Sequence, residues 1–436
     1  MRANPRPGTR VMVVGSGWHM TSGISHYTYR LSAALAGQHP GSARDGRGFE
    51  VSALLMRRLI PRRAYPGRAR VGADVTDAVY PDNVSVYDGV DWHWGRSMRG
   101  ALTFIDRQRP DVVILQWWTG AVLHSYLRLA SYAARRGARV IMEWHESQDV
   151  GEAGLPGTRR YVTSLMPWLL AWSAAHVVHS DFDLGAITSA YPIGMSPVRV
   201  IRHGPYDHLA KPGLAVAASR SDGGPTRLLY LGLVRPFKGV EDLVEAFSSL
   251  DRADAERFRL TIVGETWEGW TAPAEAIARS RHADLIERVD RYVTDTELTG
   301  YFRRADVVVL PYHRSSASGP LQIAMSAGLP VVVTAVGGLV EAVRDYQGAL
   351  LVPPRDPAAL RYALLALPGL RGRRYVDPHS WGSVAGQFTA LIDEICGGPR
   401  RVLPVAGQGG NLPFPSATSA SSAHVRTAAG TEGGGM

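Results

Sequence analysis

Of the 48 lysine and arginine residues in this 436-residue chain only two are lysine, Lys211 and Lys238. Lys238 stands in Arg235-Pro-Phe-Lys238-Gly239, directly after the strand-like run Leu228-Leu-Tyr-Leu-Gly232. A chain that otherwise carries its positive charge on guanidinium groups has placed a compact ammonium at a strand-to-helix turn. Arginine grips phosphate oxygens as a planar fork and lysine acts as a point charge. The helix that follows aims unpaired N–H groups and its positive dipole end at the same place. The chemistry implied by Arg235 and Lys238 together is the binding of a diphosphate.

Other candidates lie at the ends of apolar runs. Arg139-Val-Ile-Met-Glu143-Trp-His145-Glu146 ends in an imidazole between carboxylates, and Asp111-Val-Val-Ile-Leu-Gln116-Trp117-Trp118 ends in an amide and two indoles. Indole faces pack on the apolar faces of sugar rings, and amide, carboxylate and imidazole groups fix sugar hydroxyls. Val198-Arg-Val-Ile-Arg202-His203-Gly204 ends in a second imidazole, read as structural or phosphate-adjacent. Val11-Met-Val-Val-Gly15-Ser-Gly17 enters a glycine turn, but Met20 falls where a dinucleotide fingerprint needs its third glycine, and Arg57-Arg58 where it needs an acid.

These groups need a scaffold that brings strand ends to one rim. After Lys238 the apolar positions Val240, Leu243, Val244, Phe247 and Leu250 recur at helical spacing, predicting a helix over 239–250. Strands are predicted at Phe258–Gly264, Ala305–Pro311 and Leu329–Thr334, with helices between them. Val- and Leu-rich strands alternating with helices make an α/β fold whose parallel sheet is covered on both faces. Its ligands sit beyond the carboxyl ends of the strands. Gly232, Arg235, Lys238, Glu265, Tyr312, Ser318 and Gly337 all fall there.

In order and at natural spacing, Gly232-Leu-Val-Arg235-Pro-Phe-Lys238-Gly239, Val263-Gly-Glu265, Asp306-Val-Val-Val-Leu-Pro-Tyr312, Ala327-Gly-Leu-Pro330-Val and Val336-Gly-Gly-Leu-Val-Glu341 resemble the nucleotide-sugar-binding half of retaining glycosyltransferases of family 4, the "group 1" enzymes. The resemblance implies a GT-B fold, two Rossmann-like parallel-sheet domains facing each other across a cleft. It implies transfer of a sugar from a nucleoside diphosphate to an acceptor hydroxyl, and no cofactor or metal. Gly232, Arg235, Lys238, Glu265, Tyr312, Ser318 and Gly319 become donor-binding. His145, Arg235 and Lys238 become catalytic, with His145 beneath the donor sugar. Gly15, Ser22, Gly23, Gln116, Trp117 and His145 fall on the acceptor side, where Thr21-Ser22-Gly23-Ile24 resembles the family's glycine-rich loop.

One departure stands out. The family commonly carries two Glu residues eight positions apart before the Ala-Met and Gly-x-Pro segments, and alignment on Ala324-Met325 puts Ser315 and Ile323 there. Ser318-Gly319-Pro320 resembles a sub-pattern in which Ser-Gly opens the helix, with Ser318 as N-cap and Pro320 in the first turn. The missing carboxylates support the alternative of a catalytically silent homologue kept as an assembly partner; another GT-B enzyme using the same basic pair, such as a nucleotide-sugar epimerase, is a second alternative.

The composition agrees with a two-domain enzyme. Hydrophobic residues make up 45% of the chain, and Cys396 is its one cysteine, which excludes internal disulfides and cysteine-rich zinc sites. The predicted organisation is a flexible arm at 1–8, an acceptor-side domain at 9–205, a nucleotide-sugar-binding domain at 206–380, a cross-over helix at 381–396 and a disordered Gly/Ala/Ser-rich tail at 397–436. Gly213–Pro225 forms the linker. With a formal charge of +9, Arg57, Arg58, Arg62, Arg63, Arg68 and Arg70 among apolar neighbours suit an anionic membrane surface or a lipid-linked acceptor as well as a solvated loop. Carbohydrate and small-molecule acceptors fit the same reading; nucleic acid does not, for want of a binding motif. With neither a signal core nor an 18-residue apolar run, the expected location is the cytoplasm or the inner face of the membrane.

Overall fold

The computed structural model describes residues 8–18, 23–37, 49–59, 78–146, 157–207, 224–267 and 269–397. Ser22, Lys211, Arg62, Arg63, Arg68, Arg70, most of the expected linker and the tail beyond Gly397 lie outside the described residues.

The first sheet contains β1 (Arg10–Ser16), β2 (Glu50–Arg58), β3 (Val84–Asp91), β4 (Val112–Trp117), β5 (Arg139–Trp144), β6 (Ser173–Val178) and β7 (Val198–Val200), in the spatial order β3-β2-β1-β4-β5-β6-β7. The second contains β8 (Thr226–Leu231), β9 (Phe258–Val263), β10 (Ile286–Val289), β11 (Val307–Leu310), β12 (Val331–Thr334) and β13 (Ala349–Val352), in the order β10-β9-β8-β11-β12-β13. Every pairing in both sheets is parallel.

In each sheet the strand order reverses once, at β1/β4 and at β8/β11. Chain connections leave in opposite directions there and open a crevice at the carboxyl ends. Gly15 and Gln116 flank the first crevice, and Gly232 and Tyr312 the second.

Helix Gly23–Leu35 and the last helix, Trp381–Gly397, share one apolar core with the first sheet through Tyr27, Leu31, Val384 and Phe388. The second sheet has its own core around Tyr230, Phe247, Phe258 and Met325. Tyr206 ties the two together. Its hydroxyl donates to Gly23 O at 2.9 Å, and its N–H reaches Ser326 Oγ at 3.1 Å.

Candidate functional site

The rim of the second sheet gathers the predicted diphosphate ligands. A 3₁₀ turn over Pro236–Lys238 follows β8 and hands over at Gly239 to the helix Val240–Ser248. Gly239 has φ +60°, and a Cβ there would lie 2.0 Å from the carbonyl oxygen of Pro311. Only glycine fits. The lysine turn can therefore press against the end of β11, where His313 N donates to Phe237 O at 2.8 Å.

Lys238 Nζ sits 3.5 Å from the ring centre of the buried Tyr312, and the Arg235 guanidinium lies 4.4 Å from that of Trp267. Burial, opposed by Glu146 and aided by neighbouring Arg235, brings the Lys238 ammonium down to about 7. Two cations held on aromatic faces, one of them short of solvation, form a receptor for added negative charge.

Ser318 caps the helix Gly319–Ser326, accepting from Leu321 N at 3.3 Å, and its hydroxyl donates to the Tyr312 hydroxyl at 3.4 Å. Gly232 lies against Pro320 and the Tyr312 hydroxyl, and Gly319 faces Tyr206. The structure thus brings Gly232, Lys238, Tyr312, Ser318 and Gly319 together. Glu265 stands beside them, its carbonyl receiving Val234 N at 3.0 Å.

The first sheet is different. Register places Gln116 opposite Glu143, and Gly15 continues the same row beyond the last β1/β4 pair. A Cβ on Gly15 would fall 2.2 Å from both Thr28 Oγ1 and Gln116 Oε1. In the space that glycine leaves, Thr28 Oγ1 donates to Gln116 Oε1 at 2.5 Å, and Gln116 Nε2 donates to Glu143 Oε2 at 3.0 Å.

Beyond Glu143 come His145 on the same strand face and His179 at the end of the neighbouring strand. His145 Nε2 is 3.6 Å from Glu143 Oε2, His179 Nε2 is 3.9 Å from Glu143 Oε1, and His179 Nε2 is 3.2 Å from His145 Nδ1. His179 Nδ1 meets the carbonyl of Ile201 at 2.8 Å. Glu143, His145 and His179 are 0%, 5% and 6% exposed. Burial works to raise the Glu143 carboxyl, but His145 and His179 hold it below its usual range. Burial, with His145 beside it, lowers His179 to about 4. His203, half-buried beside both imidazoles, is also lowered well below the histidine range, chiefly by desolvation.

Three residues expected on the acceptor side lie inside the first domain. Both ring nitrogens of His145 turn inward to Glu143 and His179, and the ring of Tyr27 packs edge-on over it at 4.5 Å. Gln116 is wholly enclosed and Trp117 is 4% exposed, against Trp144. A central strand of a parallel sheet is covered on both faces, so successive side chains at its end are both drawn inside. Gly23 opens its helix under Tyr206.

Sequence reading missed the Glu143–His145–His179 cluster. Its signal was present: Glu143 and His145 share a strand face at period two, and His179 ends the next parallel strand. It also missed a joint across the cleft. Glu341 accepts Asp181 N at 2.8 Å and Phe182 N at 2.9 Å, while Arg202 Nη1 donates to Glu341 O at 2.6 Å.

Residues 225–368 match the family model for glycosyl transferases group 1. The glycogen synthase of Mycobacterium tuberculosis is 32% identical over 259 residues, 59% of either chain. A D-inositol 3-phosphate glycosyltransferase of Geodermatophilus obscurus is 32% identical over 213 residues, 44% of this chain and 47% of that one. The chain thus spans from about half to three-fifths of the length of these curated relatives. Among solved structures, a sucrose-phosphate synthase from Thermosynechococcus elongatus superposes with a TM-score of 0.60 at 17% identity, over 89% of this chain and 99% of that one. An E. coli trehalose-6-phosphate structure bound with UDP-2-fluoro glucose does so at 0.56 and 13%, over 88% and 99%. With two parallel Rossmann-like sheets and these neighbours, the fold is GT-B.

Proposed function

We propose that the chain is a retaining family 4 glycosyltransferase of the Ser-Gly sub-pattern, which moves a sugar from a nucleoside-diphosphate donor to an acceptor hydroxyl. The observation that carries this reading is the placement of Arg235 and Lys238 on aromatic faces at the β8/β11 crevice, beside the capped helix at Ser318. As the bond to the sugar breaks, the departing diphosphate gathers charge, and fixed cations then stabilise the transition state more than the ground state. Two protein cations and helix N–H groups supply this stabilisation without calling on a metal at the phosphates.

The donor class to test first is a uridine diphosphate sugar, because structural neighbours are bound with UDP-2-fluoro glucose and with UDP. Sugar, sugar-phosphate and lipid-linked hydroxyl compounds are the acceptor classes. A panel of nucleotide-sugars in a thermal-shift assay, followed by product analysis with and without acceptor, tests the proposal. Stabilisation by a nucleotide-sugar and acceptor-dependent product are expected. Binding with neither transfer nor donor hydrolysis would favour the silent homologue, which the absent carboxylates at Ser315 and Ile323 support. Sugar isomerisation without acceptor would favour an epimerase.

A further inference from the structure

We propose that Glu143, His145 and His179 form a site for one transition-metal dication of the zinc type, buried under the carboxyl end of the first sheet. The ligand atoms these residues offer lie within 4.8 Å of one another, and all three side chains are buried.

The surrounding hydrogen bonds prepare them. His179 gives its Nδ1–H to Ile201 O at 2.8 Å, which leaves the Nε2 lone pair facing His145 and Glu143. Gln116 fixes Glu143 through Oε2, and Oε1 faces His179 Nε2 at 3.9 Å. His145 places Nδ1 at 3.2 Å from His179 Nε2 and turns Nε2 toward Glu143 Oε2 at 3.6 Å. Ligation through His145 Nδ1, His179 Nε2 and Glu143 Oε1 keeps the His179 Nδ1–H on the carbonyl of Ile201. Such backing is what orients histidine ligands and sets their tautomer.

Spacing points the same way. Zinc bonds of about 2.0–2.2 Å in a tetrahedron put ligand atoms roughly 3.3–3.6 Å apart. The separations of 3.2 Å between the imidazole nitrogens and 3.9 Å from His179 Nε2 to Glu143 Oε1 bracket that range. The 3.6 Å between His145 Nε2 and Glu143 Oε2 is too long for the charge-assisted hydrogen bond that a buried ion pair would form. A buried carboxylate needs a cation. The rival is a single extra proton on His145.

The decisive experiment uses the full chain, purified without metal-affinity resin. It is incubated with Zn²⁺ or Co²⁺, dialysed, and measured by elemental analysis, visible absorption and melting temperature. Stoichiometric retention, a Co²⁺ spectrum with nitrogen-ligand character and a rise in melting temperature are expected. Retention should fall at least about tenfold in His179→Gln and Glu143→Gln, as loss of a ligand demands, and stay unchanged in the surface control His93→Gln. A parent that retains no metal after dialysis overturns the site and leaves the proton as the neutralising charge. So does a His179→Gln protein that retains as much as the parent. If a variant fails to fold, the parent's retention and Co²⁺ spectrum alone decide.

Discussion

The two sheets end their strands in opposite electrical conditions. At the β8/β11 crevice the cations Arg235 and Lys238 rest on the rings of Trp267 and Tyr312. At the β1/β4 crevice Thr28, Gln116, Glu143, His145 and His179 are bound to one another and sealed from solvent. One rim holds cations on aromatic faces, and the other has enclosed its polar groups among one another. The same topology therefore yields a ligand cradle on one side and a packed polar floor on the other.

The largest test of this contrast removes the cradle's charge. Lys238→Ala and Arg235→Ala are each expected to lower turnover by roughly a hundredfold or more, as loss of a group stabilising transition-state charge does, with the fold intact by circular dichroism. Lys238→Arg should fail as well, because a guanidinium cannot occupy the ammonium's seat over Tyr312. Activity within a few-fold of the parent in all three would erase the distinction between the rims.

The floor is broken by volume instead of charge. Gly15→Ala forces a methyl to within 2.2 Å of Thr28 Oγ1 and Gln116 Oε1, which are held to each other by a hydrogen bond. A loss of about 1–3 kcal/mol is expected from overpacking, read by denaturant unfolding. A neutral substitution would mean that the floor is loose.

The cradle was more legible than the floor. Lys238 was conspicuous because lysine is so scarce, and the glycines and proline around it mark a turn whatever packs on it. Ser318 could be read as a helix cap from Ser-Gly-Pro alone, and it is one. The floor depends on which strands lie side by side. Gln116, Glu143 and His179 are 63 residues apart from first to last and meet only through the β4/β5/β6 register. Reading each strand end alone, a polar residue after an apolar run suggests an exposed ligand. Knowing the neighbouring strand converts it to a buried partner. The burial of Trp117 against Trp144 was illegible for the same reason, since it follows from pairing and not from any local pattern.

Proton linkage separates the rims more finely. Burial brings Lys238 to about 7 from its ordinary 10.5, so between those values the unfolded chain holds a proton that the folded chain lacks. Stability of the ligand-free protein should accordingly gain from this group as pH rises through that window. Diphosphate binding restores the charge and takes up the proton. Its affinity should therefore weaken above pH 7 by up to roughly tenfold per unit, as a single linked proton requires. Calorimetry in buffers of different ionisation heat reads the proton directly. In Lys238→Met the uptake should vanish. Uptake that persists in that variant would assign the titration to another group.

The smallest effect belongs to the joint that holds the rims face to face. Glu341, on the second-domain helix Gly338–Ala342, lends both carboxylate oxygens to the first two N–H groups of Asp181–Ala190, a helix of the first domain. That helix already has its own cap, Ser180 Oγ accepting from Asp183 N at 3.0 Å, so its folding does not depend on Glu341. The carboxylate instead joins the domains through the helix's positive end. Glu341→Gln keeps one acceptor oxygen but turns an amide N–H toward a backbone N–H. The cost should be about 1 kcal/mol or less, the usual size of a partly exposed charge at a helix N-terminus. Because the bond exists only while the domains are together, the loss should appear as faster limited proteolysis of the native protein and not as lower stability of either sheet. Hydrogen exchange would distinguish the two. Faster exchange confined to Asp181 and Phe182 fits a joint, whereas faster exchange along the whole helix Asp181–Ala190 would make Glu341 part of the helix's own foundation.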